Sequence, residues 1–155
     1  MRKPLIVMTL ASAVLLALAS GASAGRHKVH FDGSGDYTLA ADGSVAFAGR
    51  ATGEPFDGSY MGTLTAADGT LPAAGTCEAG TTTLTLQGDR NRSLELVATG
   101  DVCGEHVQPP FIVTQVFTGR YDIVSASQKR FVGDEGFISV RLSNDGKASV
   151  FGIDT

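Results

Sequence analysis

Five Asp-Gly pairs punctuate this chain, at Asp32-Gly33, Asp42-Gly43, Asp57-Gly58, Asp68-Gly69 and Asp145-Gly146. Glycine adopts positive φ without steric penalty and Asp tolerates it, so each pair is a strong signal for a tight reversal. Between them run short segments in which apolar and polar residues alternate. No stretch of ten or more residues carries a helical period with caps. A chain reversed this often, with a two-residue side-chain period, is expected to fold as paired antiparallel strands in a single all-β domain.

The first residues follow a different pattern. Met1-Arg2-Lys3 is basic, the run from Leu5 to Leu18 is broken only by Thr9 and Ser12, and Ala22-Ser23-Ala24 offers a small-x-small cleavage site. This is the pattern of a secretory signal peptide over residues 1–24. The run falls short of the roughly 20 apolar residues that a membrane span needs. The mature domain is then 25–155, secreted, with 25–35 and 104–110 as its softest segments. No Cys near the cleavage site suggests a lipid anchor, and no later apolar run suggests a membrane contact.

Lys and Arg total 12 against 16 Asp and Glu, a formal net charge of −4. Loss of Arg2 and Lys3 with the leader makes the domain more acidic still. That argues against a general nucleic-acid binder, which needs a basic face to release counterions. It also leaves no evident basic patch for anionic lipid.

Three hairpins can be assigned a register. The first joins 37–39 to 45–47. A three-residue loop, Ala41-Asp42-Gly43, puts Gly43 in the left-handed position and pairs Leu39 with Val45 and Tyr37 with Phe47. A two-residue loop would set Leu39 against Ala46 and split the large side chains. The second joins 81–87 to 93–99. Centring it on Arg90 pairs Leu86 with Leu94 and Leu84 with Leu96, with Thr83, Thr85, Val97 and Glu95 on the other face. The same register brings Cys77 opposite Cys103. The third joins 138–142 to 149–153 across Asp145-Gly146, and a two-residue loop pairs Val140 with Phe151 and Ile138 with Ile153. Between the second and third lies a long strand over 111–124, with Gly119 suggesting a bend or bulge in its middle.

An exported chain with two cysteines most simply carries one disulfide, Cys77–Cys103. It would close a loop of about 27 residues, worth roughly 3–4 kcal/mol in the chain-entropy model. A redox site would more often show Cys-x-x-Cys.

From Phe56 onward the order of signals is informative. It runs Phe56-Asp57-Gly58-Ser59-Tyr60-Met61-Gly62-Thr63-Leu64, Gly75-Thr76-Cys77, Leu84-Thr85-Leu86 and Gly100-Asp101-Val102-Cys103. It continues with Phe117-Thr118-Gly119-Arg120-Tyr121-Asp122-Ile123 and Arg130-Phe131-Val132-Gly133-Asp134-Glu135-Gly136. This resembles the small exported bacterial barrels related to allene oxide cyclase and dirigent proteins. The resemblance covers 56–140 and rests on glycine and apolar patterns. One departure is the turn at 124–129, usually glycine-rich, which here lacks those glycines. The resemblance implies a single antiparallel, closed or nearly closed β-barrel of about eight strands with a mostly apolar interior. It implies no function, because related barrels include cyclases, stereochemical guides for coupling reactions and chains without assigned activity.

Tyr37, Phe47, Phe117, Tyr121 and Phe131 are the candidates to line the barrel interior. They would form either a pocket for an apolar small molecule or a core filled by its own side chains, since eight strands enclose little more than that. Glu95 could be a buried general acid, but its register places it outside with Thr85. Arg120 and Asp122 likewise flank Tyr121 on the opposite face. His27 and His30 are three apart and point to opposite faces of a strand, and His106 sits in a loop, which disfavours a zinc site. The aspartates lack the spacing of a calcium loop. Asn91-Arg92-Ser93 is a glycosylation sequon of use only in a host with that machinery. No nucleophile motif stands out, and no catalytic residue, metal or cofactor is expected.

The leading expectation is therefore an exported, non-enzymatic barrel that binds an apolar small molecule or a surface protein. The first alternative is a cofactor-independent cyclase or isomerase that holds a flexible apolar substrate in one reactive conformation. The second is a structural or adhesive oligomer, with Ile112 and Val116 as the apolar interface.

Overall fold

A computed structural model describes residues 28–106 and 113–155. The expected leader over 1–24, His27 and Ile112 lie outside the described residues. Eight strands follow one another: β1 (His30–Leu39), β2 (Val45–Glu54), β3 (Gly58–Ala66), β4 (Cys77–Gly88), β5 (Arg92–Gly104), β6 (Val113–Ala126), β7 (Glu135–Ser143) and β8 (Lys147–Asp154). A single 3-10 turn, Lys129–Phe131, bridges β6 and β7. Each strand pairs antiparallel with the next, and β8 returns to pair with β1, so the sheet closes into one barrel. Among the described residues no helix is long and apolar enough to cross a membrane.

The two-residue period puts one parity of each strand inside. Leu84 and Leu86 of β4 meet Leu96 and Leu94 of β5 there, while Thr83, Thr85 and Glu95 face outward. Cys77 and Cys103 stand opposite each other at the end of this pair, Cα–Cα 4.0 Å, and are joined as a disulfide. The turn between β4 and β5 places Arg90 and Asn91 at φ 60° and 59°, the left-handed pair of a type I′ reversal. The first hairpin also has the expected pairing, Leu39 with Val45 and Tyr37 with Phe47. Gly43 takes φ +83° in its loop.

Several expectations are corrected. β1 begins at His30, so 30–35 of the segment 25–35 that composition marked as soft is strand, paired with β2 on one side and β8 on the other. Its glycines look like loop but serve the interior. A Cβ on Gly33 would lie 2.7 Å from the Tyr60 ring. Asp32-Gly33 is accordingly no turn, whereas Asp42-Gly43, Asp68-Gly69 and Asp145-Gly146 all are, each glycine with positive φ.

The third hairpin is shifted by one residue. Val140 pairs with Val150 and Ile138 with Gly152, not with Phe151 and Ile153. The loop Asn144-Asp145-Gly146 has three residues, with Gly146 at φ +79° and its N–H donating to the Ser143 carbonyl at 3.1 Å. A two-residue loop would also drive Phe151 into the interior where the Phe31 ring already stands: a Cβ on Gly152 would come within 2.1 Å of that ring. Finally, Gly119 pairs regularly with Gly100 and Ile138. The irregularities of β6 fall near its two ends instead. Val124 is the extra residue opposite Glu95 and Leu96, and Thr114 the extra one opposite β7.

Candidate functional site

The five aromatic candidates do not converge on one pocket. Phe47, Phe117, Tyr121 and Phe131 are buried, but they are distributed along the barrel. Phe47 packs near Tyr60, with ring centroids 6.2 Å apart. Tyr121 lies 6.5 Å from Phe31. Phe131 meets Phe56 edge-on at 5.8 Å. Tyr37 is only half-buried near the disulfide end, where its hydroxyl donates to the Ser143 carbonyl at 2.9 Å.

Phe31, Phe56 and Tyr60, which the sequence pattern did not single out for the interior, are among the largest fully buried side chains. The signal for Tyr60 was available, since Tyr60, Gly62 and Leu64 share one parity. Gly62 and Gly136 leave space for the Phe47 and Tyr121 rings, respectively. The interior is thus filled by alternating rings and absent side chains.

Two polar atoms stand out inside it. The hydroxyls of Tyr60 and Tyr121 are buried without a hydrogen-bond partner among the described residues. Burial, and then the Asp36 carboxylate, pushes the Tyr60 phenol up to about 12. Burial chiefly, with Asp154 and Asp134 adding repulsion, pushes Tyr121 up as well. A neutral phenol in an apolar barrel can donate one hydrogen bond and cannot serve as a base near neutral pH. Glu95, Arg120 and Asp122 are exposed. His30 lies on the outside against Phe151, with ring centroids 5.5 Å apart. No group of three His, Cys, Asp or Glu among the described residues is placed to hold a metal ion.

The outside carries a feature absent from the sequence reading. The shifted register of β7 and β8 sets Phe137 opposite Ile153 and Phe151 opposite Ser139. β1 continues the surface, with His30 opposite Ile153 and Asp32 opposite Phe151. Phe137, Phe151 and Ile153 are 48%, 41% and 45% exposed. Arg120 of β6 lies over the Phe137 ring, 5.1 Å from its centroid. Two aromatic rings and one branched aliphatic side chain therefore share one face, bordered by a cation and an imidazole. Val116, expected at an interface, is only partly exposed on β6.

No protein-family model, no curated protein and no solved structure matches this chain.

Proposed function

We propose that this protein is an exported, non-enzymatic binding module that meets a protein partner through the outer face of β7, β8 and β1. The observation that carries this reading is the patch formed by Phe137, Phe151 and Ile153. Isolated apolar side chains on a surface need no explanation, but neighbouring large ones on adjacent strands mark an interaction site. Aromatic anchors bordered by polar groups are the composition of interface centres. The closed sheet supports the same reading by elimination. It has no free edge on which a partner could add a strand, so a partner must dock on side chains.

A photoreactive phenylalanine analogue at position 151, in the producing culture, tests this. The expected result is one discrete protein adduct, absent when the analogue replaces Glu95 on β5. It should fade when Phe137 and Ile153 are changed to Ser. No adduct at 151, or equal labelling at both positions, would overturn the proposal.

A second reading, a cofactor-independent cyclase or isomerase, is favoured by the unpartnered phenols of Tyr60 and Tyr121. That reading requires the ring-filled interior to open, Tyr121 then supplying a hydrogen bond to a substrate oxygen. An apolar molecule extracted into organic solvent from the purified protein would move the assignment to that reading.

A further inference from the structure

Folding gathers positive charge that the acidic composition conceals. Lys28 precedes β1, Arg92 is the first residue of β5, and Arg130 sits in the 3-10 turn. All three line one cleft of about 370 Å³ at the barrel end opposite the disulfide, together with Pro55, Phe131 and a single carboxylate, Glu54. In a chain whose acids outnumber its bases, three cations to one anion around one concavity reverse the overall balance.

Two of the cations are held in place without being neutralised. Arg92 donates from Nη1 to the Pro55 carbonyl at 3.1 Å and from Nε to the Asp89 carbonyl at 3.3 Å. Arg130 rests over the Phe131 ring, 4.9 Å from its centroid, and Phe131 is itself fixed by burial and by Phe56. Among the described residues the one ion pair joins Lys147 to Asp36, far from this cleft. Lys28, Arg92 and Arg130 therefore have no carboxylate within ion-pair distance among those residues. Like charges facing one concavity repel one another and are relieved by an anion. Guanidinium groups match the forked oxygens of phosphate and sulfate, and Pro55 and Phe131 add an apolar surface beside them.

We infer that this cleft binds an oxyanion, a phosphate or sulfate ester, through Lys28, Arg92 and Arg130. The cleft lining includes none of Phe137, Phe151 and Ile153, so the site does not depend on the apolar patch.

The mature protein, titrated at low salt with phenyl phosphate, phenyl sulfate and inorganic phosphate and followed by amide NMR shifts, tests the inference. Saturable binding of an ester is expected, with the largest shifts in residues bordering the cleft. Arg130→Gln or Lys28→Gln should each weaken it about tenfold, the loss of one charge-assisted contact, whereas Lys147→Gln, at the other end of the barrel, should leave it unchanged. Tighter binding of the esters than of inorganic phosphate assigns an esterified ligand. Equal binding keeps the oxyanion site and assigns the free ion. Absence of saturation, or equal affinity in the Arg130 and Lys28 variants, would overturn the inference. Arg130 borders Phe131 and none of Phe137, Phe151 or Ile153, so crosslinking at position 151 in the Arg130→Gln variant reports separately on the apolar patch.

Discussion

The β4–β5 and β7–β8 hairpins are built alike, yet only the first shows its register in its residues. In β4–β5 the inner face is leucine and the outer face is threonine and glutamate, so hydrophobicity chooses between the two possible phases. In β7–β8 the outer face also carries large apolar side chains, Phe137, Phe151 and Ile153, among Ser139, Arg141 and Ser149. β8 even turns its small residues inward, Ala148, Val150 and Gly152, and its large ones, Phe151 and Ile153, outward. A side-chain period of two means that one slipped residue exchanges the faces completely. Size favours the wrong phase here because the interior volume beside β8 is already taken by Phe31. The ambiguity is itself informative: a strand pair with large apolar side chains on both sides has one set for the core and one for something else.

The largest effect that would sharpen this contrast is loss of the staple. Replacing Cys77 and Cys103 together by Ala should lower stability by about 3–4 kcal/mol, read as a shift in denaturant midpoint under non-reducing conditions. Amide exchange should still find β4 paired with β5 in the same register, because the leucines select it without the sulfurs. A changed register would mean that the bond, and not the pattern, holds the phase.

A smaller effect discriminates the faces of β8. Val150→Ala should cost about 2 kcal/mol by leaving a cavity. Phe151→Ala should change stability by no more than about 0.5 kcal/mol, as for a surface site. The opposite order, measured by the same denaturant curves, would restore the slipped register and remove the apolar patch.

The smallest effect concerns the interior that both hairpins help to enclose. The Tyr60 phenol, held up to about 12 by burial and by Asp36, has a folded value above its ordinary value of about 10. The stability it contributes is therefore intact below pH 10 and is lost as pH rises through about 12. Tyr60→Phe should remove that alkaline step while leaving the neutral-pH fold in place. An unchanged alkaline profile would show that the hydroxyl reaches solvent.

Much of the barrel was legible wherever one face of a strand is polar. Leu84, Leu86, Leu94 and Leu96 announced their pairing, and Asp42-Gly43 announced its loop. The first half of β1 was not legible, because Gly33 and Gly35 mimic a linker when Gly33 leaves room for the Tyr60 ring and Gly35 for the close-lying backbone of β2 at Ala48 and Gly49. The bulges escaped for a related reason. Gly119 looks like a breaking point, yet the extra residues are Val124 and Thr114, whose side chains carry no local sign of it. The candidate surfaces were least visible of all. Phe137 and Phe151 sit on different strands, and Lys28, Arg92 and Arg130 are scattered along the chain. Only closure of the sheet makes neighbours of them.

That closure also orders events in time. The strand that completes the cylinder is the last one, and its partner is the first, so β1 waits for β8 across nearly the whole length of the domain. Contacts of such long range form slowly, and until they do both strands present open edges. A chain that emerges from its beginning cannot finish this fold halfway. Until β8 is in place beside β1, the cylinder stays open.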